Sequence, residues 1–580
     1  MRIQLDRQIR PLGNKARFWR NLFQSKIQNL KSKMAGRLWL LIILLGLAAV
    51  ACGFSADEES GPPRNATVVD VAANTSLRPW LEGIVNTFNE SGLETPDGKP
   101  VYVTLQSIEA GEAVTAIATG EMAPAVWIPD DPVWTNVLAD QGNPNYQGDC
   151  ASLGSSPLVM AMWRPLAESL GWPGLPLGWL DVGSLAADPA TWKFFSGGRF
   201  GDSLRLGHTH PGLSGSGAAT LLAIVQAAEA KPEAVTVQDI QQPIVQASVG
   251  AFEGAVSWFS NSTDSLGQTM SQRGSDFLGA AVLYESTVVF YGGGQIVPVY
   301  PLEGTFVATH PACVNEAANL DTITAARFFR DYLMDEPAQQ AALAAGLRPI
   351  NGNVPLGAPL DDAHGVDLSQ PQIVFSPPTV AAVYAAQELW QAARKPVNLV
   401  MLLDTSGSMA GDKMENARAS AVQFVEQMGD ADYLTLVAFS TFPDVLINHQ
   451  QVGPARDKIV RAIEGLVADG DTSLYDAIGD GATLIAETTS PRTTNALVVL
   501  SDGLDTASYR YNFDETLMQA AAGHDTTVFT IAYGSDADEN LLSELANRAN
   551  GNFYRGDEAS IAAIYEEMSA AFGGSLGIGR

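Results

Sequence analysis

Val397-Asn-Leu-Val-Met-Leu-Leu403, followed by Asp404-Thr405-Ser406-Gly407-Ser408, is the stretch that decides the fold. Its first seven residues are almost wholly apolar and do not alternate with polar ones. That pattern suits a central parallel strand covered on both faces. The strand ends on an acid and two hydroxyls, and a helix is predicted over Lys413–Met428. A second run, Leu497-Val-Val-Leu-Ser-Asp502-Gly503, also ends on an acid, and Gly470-Asp471-Thr472-Ser473-Leu474 precedes another helix. Tyr433–Phe439, Thr527–Tyr533 and Asn552–Tyr554 bring the named strands to five of an expected six-stranded parallel sheet. Helices Lys458–Val467, Asp514–Ala522, Glu539–Ala549 and Ser560–Phe572 lie between or after them. The fold class is α/β with a doubly wound parallel sheet, in which ligands gather at the carboxyl ends of the strands.

The Asp-x-Ser-x-Ser pattern of Asp404, Ser406 and Ser408, with Thr472 and Asp502 following in order, resembles the signature of von Willebrand factor type A domains. The resemblance implies a Rossmann-like domain over 396–580 and a metal-ion-dependent adhesion site. Mg²⁺ prefers hard oxygens in an octahedron and keeps several waters, which suits two carboxylates and three hydroxyls. Mn²⁺ or Ca²⁺ are the alternatives. Two carboxylates leave the ion with net positive charge, and in this family a Glu or Asp of a protein partner takes the remaining position. Asp471 stands where the family usually has Gly, and a third acid there would hold the cation more tightly. The alternative reading is a domain that packs as a scaffold without metal.

Upstream, short β-branched runs alternate with amphipathic stretches, the pattern of α/β layering. Strands are expected at 67–72 and 101–105, and helices at 77–89 and 110–119. Thr67–Glu90, Pro124–Trp134, Ser155–Trp163, Thr209–Gly217, Val299–Thr305 and a helix over Thr322–Gly346 together resemble bacterial extracellular solute-binding proteins. The resemblance covers 66–395 and implies a two-lobed, periplasmic-binding-protein-like fold with its ligand in the cleft. It also implies that Ser155–Trp163 and Val297–Thr305 are the crossings between lobes. Helix-initiating loops supply ligand groups there, because free N–H groups and the helix dipole favour anions. The candidates are Asn74, Thr75, Ser76, Ser107, Ser155, Ser214, Ser216, Tyr300 and Thr305, suited to a small polar solute. Their commonest use elsewhere is as caps and turn residues.

The N-terminus reads as an address. Ten of the 34 Lys and Arg residues fall in the first 37 positions, opposed by Asp6 alone. The apolar run Leu38–Ala51 and the Ala49-Val50-Ala51-Cys52 ending follow. Such a segment is read as an export signal, and the ending resembles a bacterial lipoprotein signal, which implies lipidation of Cys52 and a tether over 52–65. An uncleaved membrane anchor is the alternative, since an uncharged stretch runs from Leu38 to Ala56. Either way the folded part lies outside the cytoplasm. Met34 is a second candidate start. In an oxidising compartment Cys150 and Cys313 are a disulfide candidate, against two separate thiols. The resemblance places both beside the crossings, on the first lobe.

The chain has 580 residues, with 64 Asp and Glu against those 34 bases, a net charge of −30. A surface so acidic repels phosphates, which excludes nucleic acid as a partner. Enzyme signatures are missing: Gly212-Leu-Ser214-Gly-Ser216 lacks the final Gly of a nucleophile elbow. Asp536-Ala-Asp538 starts like a calcium loop but lacks its Gly. His208-Thr-His210 reads as a loop before Pro211, and Asp130-Asp131 as a solvated acidic pair. The sequence therefore reads as a non-enzymatic binding protein.

Overall fold

The computed structural model describes residues 61–63, 65–490, 492–521 and 526–574. Cys52 and the whole N-terminal address lie outside the described residues. From Asn65 onward the chain forms one compact unit. Among the described residues no helix is long and apolar enough to cross a membrane.

The first lobe is built on a five-stranded sheet. Its strands are β1 (Thr67–Ala73), β2 (Val101–Ser107), β3 (Val126–Ile128), β4 (Cys150–Ser152) and β11 (Pro311–Val314), in the order β2-β1-β3-β11-β4. A disulfide joins Cys150 to Cys313, which face each other across the antiparallel pair β4–β11. The second lobe holds β5 (Gly154–Trp163), β6 (Leu206–Thr209), β7 (Val256–Ser260), β8 (Ala280–Tyr284) and β10 (Val307–Ala308), in the order β10-β5-β8-β6-β7. Two further strands, β9 (Ile296–Val299) and β12 (Arg348–Pro349), also pair with β5.

The chain changes lobe between β4 and β5 at Leu153, and between β10 and β11 at Thr309-His310. Each passage is therefore short and lies outside the expected crossings, Ser155–Trp163 and Val297–Thr305, which instead carry β5 and β9 of the second lobe. The long helix expected over 322–346 is two helices, Leu320–Met334 and Glu336–Ala344. Pro337 explains the break: it lacks an N–H and fits a first helical turn better than an interior one.

The third sheet holds β13 (Val397–Asp404), β14 (Tyr433–Phe439), β15 (Pro443–Gln451), β16 (Thr494–Ser501), β17 (Thr526–Tyr533) and β18 (Phe553–Gly556), in the order β15-β14-β13-β16-β17-β18. All eight residues of β13 are buried, as its apolar run requires. The sixth strand corrects the expectation of an all-parallel sheet, because β15 runs antiparallel to β14 at the edge. Only Ile447 of β15 is buried, and its apolar run is just Val445-Leu446-Ile447, too short to announce the strand.

The helix Val380–Ala393 leads straight into β13. It lies against both lobes: Tyr384 donates to Asp140 Oδ2 (3.2 Å) of the first, and Gln387 to the Pro211 carbonyl (3.0 Å) of the second. A single apolar cluster runs from the second lobe into the last domain. It includes Trp258, Leu266, Met270 and Phe277 on one side and Phe529, Tyr565, Met568 and Phe572 on the other. Trp258 stacks on Phe529 with ring centroids 5.7 Å apart.

Candidate functional site

Two sites emerge from these elements. The first lies at the carboxyl ends of β13 and β16. Asp404 closes β13, and its Oδ1 accepts from the Ser406 N–H (2.8 Å) while Oδ2 accepts from the Ser501 hydroxyl (2.6 Å). The tight loop sets Ser406 Oγ 3.0 Å from Ser408 Oγ, and Ser408 donates to Asp502 Oδ1 (2.7 Å). Thr472 is held beside them by the loop after β16, whose Thr506 and Ala507 N–H groups both donate to its carbonyl. Asp404 and Asp502 are buried, whereas Ser408 is exposed. Burial, with the nearby Asp502 charge adding to it, holds the Asp404 carboxyl above its usual pKa.

Two participants carry no sequence motif of their own. Ser501 is the last residue of β16, and Lys413 donates to Asp502 Oδ2 (2.6 Å) from the first turn of the helix Asp412–Gln427. Lys413 thus takes the outer oxygen of Asp502 and leaves Oδ1 toward the serines. Asp471 is exposed and its N–H donates to Thr441 Oγ1 (3.2 Å). Among the described residues no three His, Cys, Asp or Glu side chains gather as a metal cluster. The donor set here is instead two carboxylates and hydroxyls, all hard oxygens, which fits a cation of the Mg²⁺ type.

The second site lies between the lobes. Asn74, Thr75 and Ser76 directly follow β1 on the first lobe, and all three are buried. Ser214 and Ser216 open the helix Gly215–Glu229 on the second. Ser216 Oγ lies 2.7 Å from Thr209 Oγ1, 3.0 Å from Ser214 Oγ and 2.8 Å from Thr263 Oγ1. The carboxylate of Glu109, itself 1% exposed, reaches into this group from the first lobe. It accepts from Asn74 Nδ2 (3.2 Å), from the Thr75 hydroxyl and from the Thr263 N–H (2.7 Å). Glu109 had no sequence signal, being an acid just before a helix, where acids are common.

The lobes approach closely around it. Gly111 N–H donates to the Leu213 carbonyl (2.8 Å), and a Cβ at Gly111 would meet the Gly212 oxygen at 2.4 Å. Arg78 donates to Asp264 across the two lobes, and Tyr291 of the second lobe donates to the same carboxylate. The other candidates stand apart from this group. Ser107 is exposed at the end of β2, and Ser155 lies in β5 opposite Arg348. Tyr300 donates to Glu285, which Arg348 also holds, and Thr305 donates to the Leu158 carbonyl (2.7 Å).

Two readings need correction. Asp130 is not a solvated acid: it is 1% exposed and accepts from Tyr284. It lies so near the start of the helix Gly215–Glu229 that a Cβ at Gly215 would be 1.9 Å from its Oδ2. Asp131 is half-buried and accepts from the Val133 N–H (2.7 Å). His208 is not a loop residue but part of β6, His210 follows it in the loop before Pro211, and both are buried. His208 Nε2 meets Glu253 at 3.1 Å, and Trp390 donates to the same carboxylate (2.9 Å). Gly212 N–H donates to His210 Nδ1 (3.0 Å), so Nε2–H donates to the Gly574 carbonyl (2.6 Å) of the last domain.

Comparison with known proteins agrees with this division. Residues 69–348 match the family described as bacterial extracellular solute-binding protein, and residues 398–567 match the von Willebrand factor type A domain. An uncharacterized protein of Synechocystis sp. (sll0103) is 29% identical over 163 residues, which is 27% of this chain and 37% of that protein. Inter-alpha-trypsin inhibitor heavy chain H3 of Mesocricetus auratus is 27% identical over 191 residues, 30% of this chain and 21% of its own. This chain thus spans well under half the length of the curated relatives it matches. The periplasmic binding protein AfuA from Actinobacillus pleuropneumoniae, solved with exogenous fructose-6-phosphate bound, is 15% identical with a TM-score of 0.40. It covers 57% of this chain and 97% of its own. A bacterial extracellular solute-binding domain implies an extracytoplasmic location. The chain carries a bacterial extracellular solute-binding domain followed by a von Willebrand factor type A domain, both of them binding folds.

Proposed function

We propose that this protein is a cell-surface lipoprotein, anchored through Cys52, that recognises a protein partner through a metal ion and a small polar solute between its lobes. Its domains are the tether 52–65, the solute-binding domain 66–395 and the adhesion-type domain 396–580. Asp404, Ser406, Ser408, Thr472 and Asp502 hold the ion, Mg²⁺ or alternatively Mn²⁺ or Ca²⁺, and a Glu or Asp of the partner completes its coordination. The observation that carries this reading is the convergence of Ser406 Oγ and Asp502 Oδ1, both on buried residues, on the hydroxyl of the exposed Ser408. Phe442 and Tyr509 stand exposed on neighbouring loops, 6.3 Å apart, and supply apolar area for a protein partner.

The test is calorimetry of Mg²⁺ and Mn²⁺ binding to the mature chain beside Asp404→Ala and Asp502→Ala. Saturable binding to the parent, reduced at least about tenfold in both variants, is expected, since each removes a charged ligand. Binding that survives both substitutions sinks the assignment. One observation favours a second reading, an adhesion protein whose solute-binding fold serves only as a scaffold: a carboxylate of the protein itself fills the cleft.

A further inference from the structure

We infer that Glu109 is a built-in occupant of the interlobe site, its carboxylate filling the position that a small carboxylate or other oxyanion would take. The inference rests on reading the interlobe cleft as the place where this fold holds its ligand. It starts from the helix Thr263–Arg273 on the second lobe, whose first turn faces the cleft. The opening N–H groups of a helix have no partner within it and are the usual donors to a bound anion. Here every one is already satisfied. Thr263 N–H donates to Glu109 (2.7 Å) and Asp264 N–H to Thr75 Oγ1 (3.3 Å), both across the cleft. Ser265 N–H donates to Ser262 Oγ (3.2 Å), and Leu266 N–H to the Ser262 carbonyl.

The remaining donors around the carboxylate come from both lobes and point the same way. Asn74 Nδ2 and the Thr75 hydroxyl donate from the first lobe, and the Ser214 and Thr263 hydroxyls face it from the second. A carboxylate accepting several such bonds is the arrangement expected of a bound carboxylate ligand. Glu109 belongs to the first lobe and half of its donors to the second, so its side chain bridges the lobes as a ligand does. Arg78 to Asp264 and Gly111 to Leu213 add protein contacts across the same gap. These bonds hold the lobes together around Glu109 itself, and a free oxyanion must displace Glu109 to take the same donors.

Chemical rescue tests this. Glu109→Ala removes from the side chain the atoms of one acetate ion. The full mature chain carrying it should unfold about 2 °C or more below the parent. Sodium acetate should restore about half of that loss or more, saturably, while sodium chloride at equal ionic strength does not. The parent should respond to the two salts alike. Glu109→Gln keeps the space filled, so its midpoint should fall without any acetate response. If Glu109→Ala does not fold, Glu109→Gln decides: a parental midpoint overturns the inference, and a lowered midpoint indifferent to acetate supports it. Acetate acting no better than chloride on a folded Glu109→Ala also overturns it. A saturable acetate or phosphate response of the parent overturns the inference yet leaves the cleft standing as a solute site. Metal calorimetry on Glu109→Ala reports separately on the adhesion-type domain.

Discussion

At the scale of the residue, Asp130 shows what burial does to a charge. Its carboxyl is 1% exposed, and burial together with the nearby Glu109 and Asp131 charges raises its pKa to about 7, against the opposing hydrogen bond from Tyr284. The sign follows from proton binding. Between about pH 4 and pH 7 the folded state holds a proton that the unfolded chain has released. The resulting cost is absent below about pH 4 and complete above about pH 7. Asp130→Asn keeps the shape without the charge, so it should stabilise the protein at pH 8 by on the order of 4 kcal/mol and change little at pH 4. Urea unfolding at the two pH values checks this, and equal effects at both would refute it. Glu109 differs from Asp130 in kind: several donors surround it, whereas Asp130 Oδ1 has no hydrogen-bond partner among the described residues.

At the scale of the element, the helix Val380–Ala393 and the strand β13 are joined by one ion pair. Arg394 donates to both oxygens of Asp432, each at 3.0 Å, and both side chains are buried. Asp432 also accepts from the N–H groups of Val397 (2.8 Å) and Gly429 (2.7 Å). The pair therefore fixes where the helix stops, where the strand starts and how the loop before β14 turns. Removing one partner strands the other charge in the interior, which typically costs about 3–5 kcal/mol. Arg394→Met should lose stability in that range by denaturant unfolding, and a loss under about 1 kcal/mol would show the pair to be dispensable. The paired cysteines do comparable work in the first lobe, closing a sequence separation of 163 residues on adjacent strands.

At the scale of the whole molecule, the second lobe and the adhesion-type domain share one core. Trp258 from β7 stacks on Phe529 from β17, and Phe529 meets Phe572 at 4.8 Å. His210, in the loop that opens the cleft helix, bonds Gly574 beyond the last helix of the other domain. These contacts make independent unfolding of the two halves unfavourable, because separating them exposes a shared apolar surface. Trp258→Ala should cost about 3–5 kcal/mol. In scanning calorimetry it should split one cooperative transition into two, and a single sharp transition in the variant would argue against the shared core. Such a core also gives the cleft and the metal face a common frame.

The sequence by itself determined the division into two binding folds, the buried strands and the residues that meet at the ends of β13 and β16. Asp404, Ser406 and Ser408 were legible because they share one loop after an unmistakable buried strand, so their spacing carries the geometry. Asp502 was legible for the same reason, at the end of a second such strand. Lys413, Ser501 and Glu109 were not, because each acts on a residue far away in the chain. Glu109 lies 154 positions from Thr263, and nothing in its neighbours marks a residue that will cross to the other lobe. Asp130 was misread as solvated, and His208 as a loop residue rather than part of β6, because burial and strand pairing are properties of assembled layers. A polar side chain shows no periodicity that separates an interior position from an exposed one. Only the tertiary structure decided which carboxylate enters the cleft and which lobe shares its core with the last domain, since both depend on contacts between distant segments.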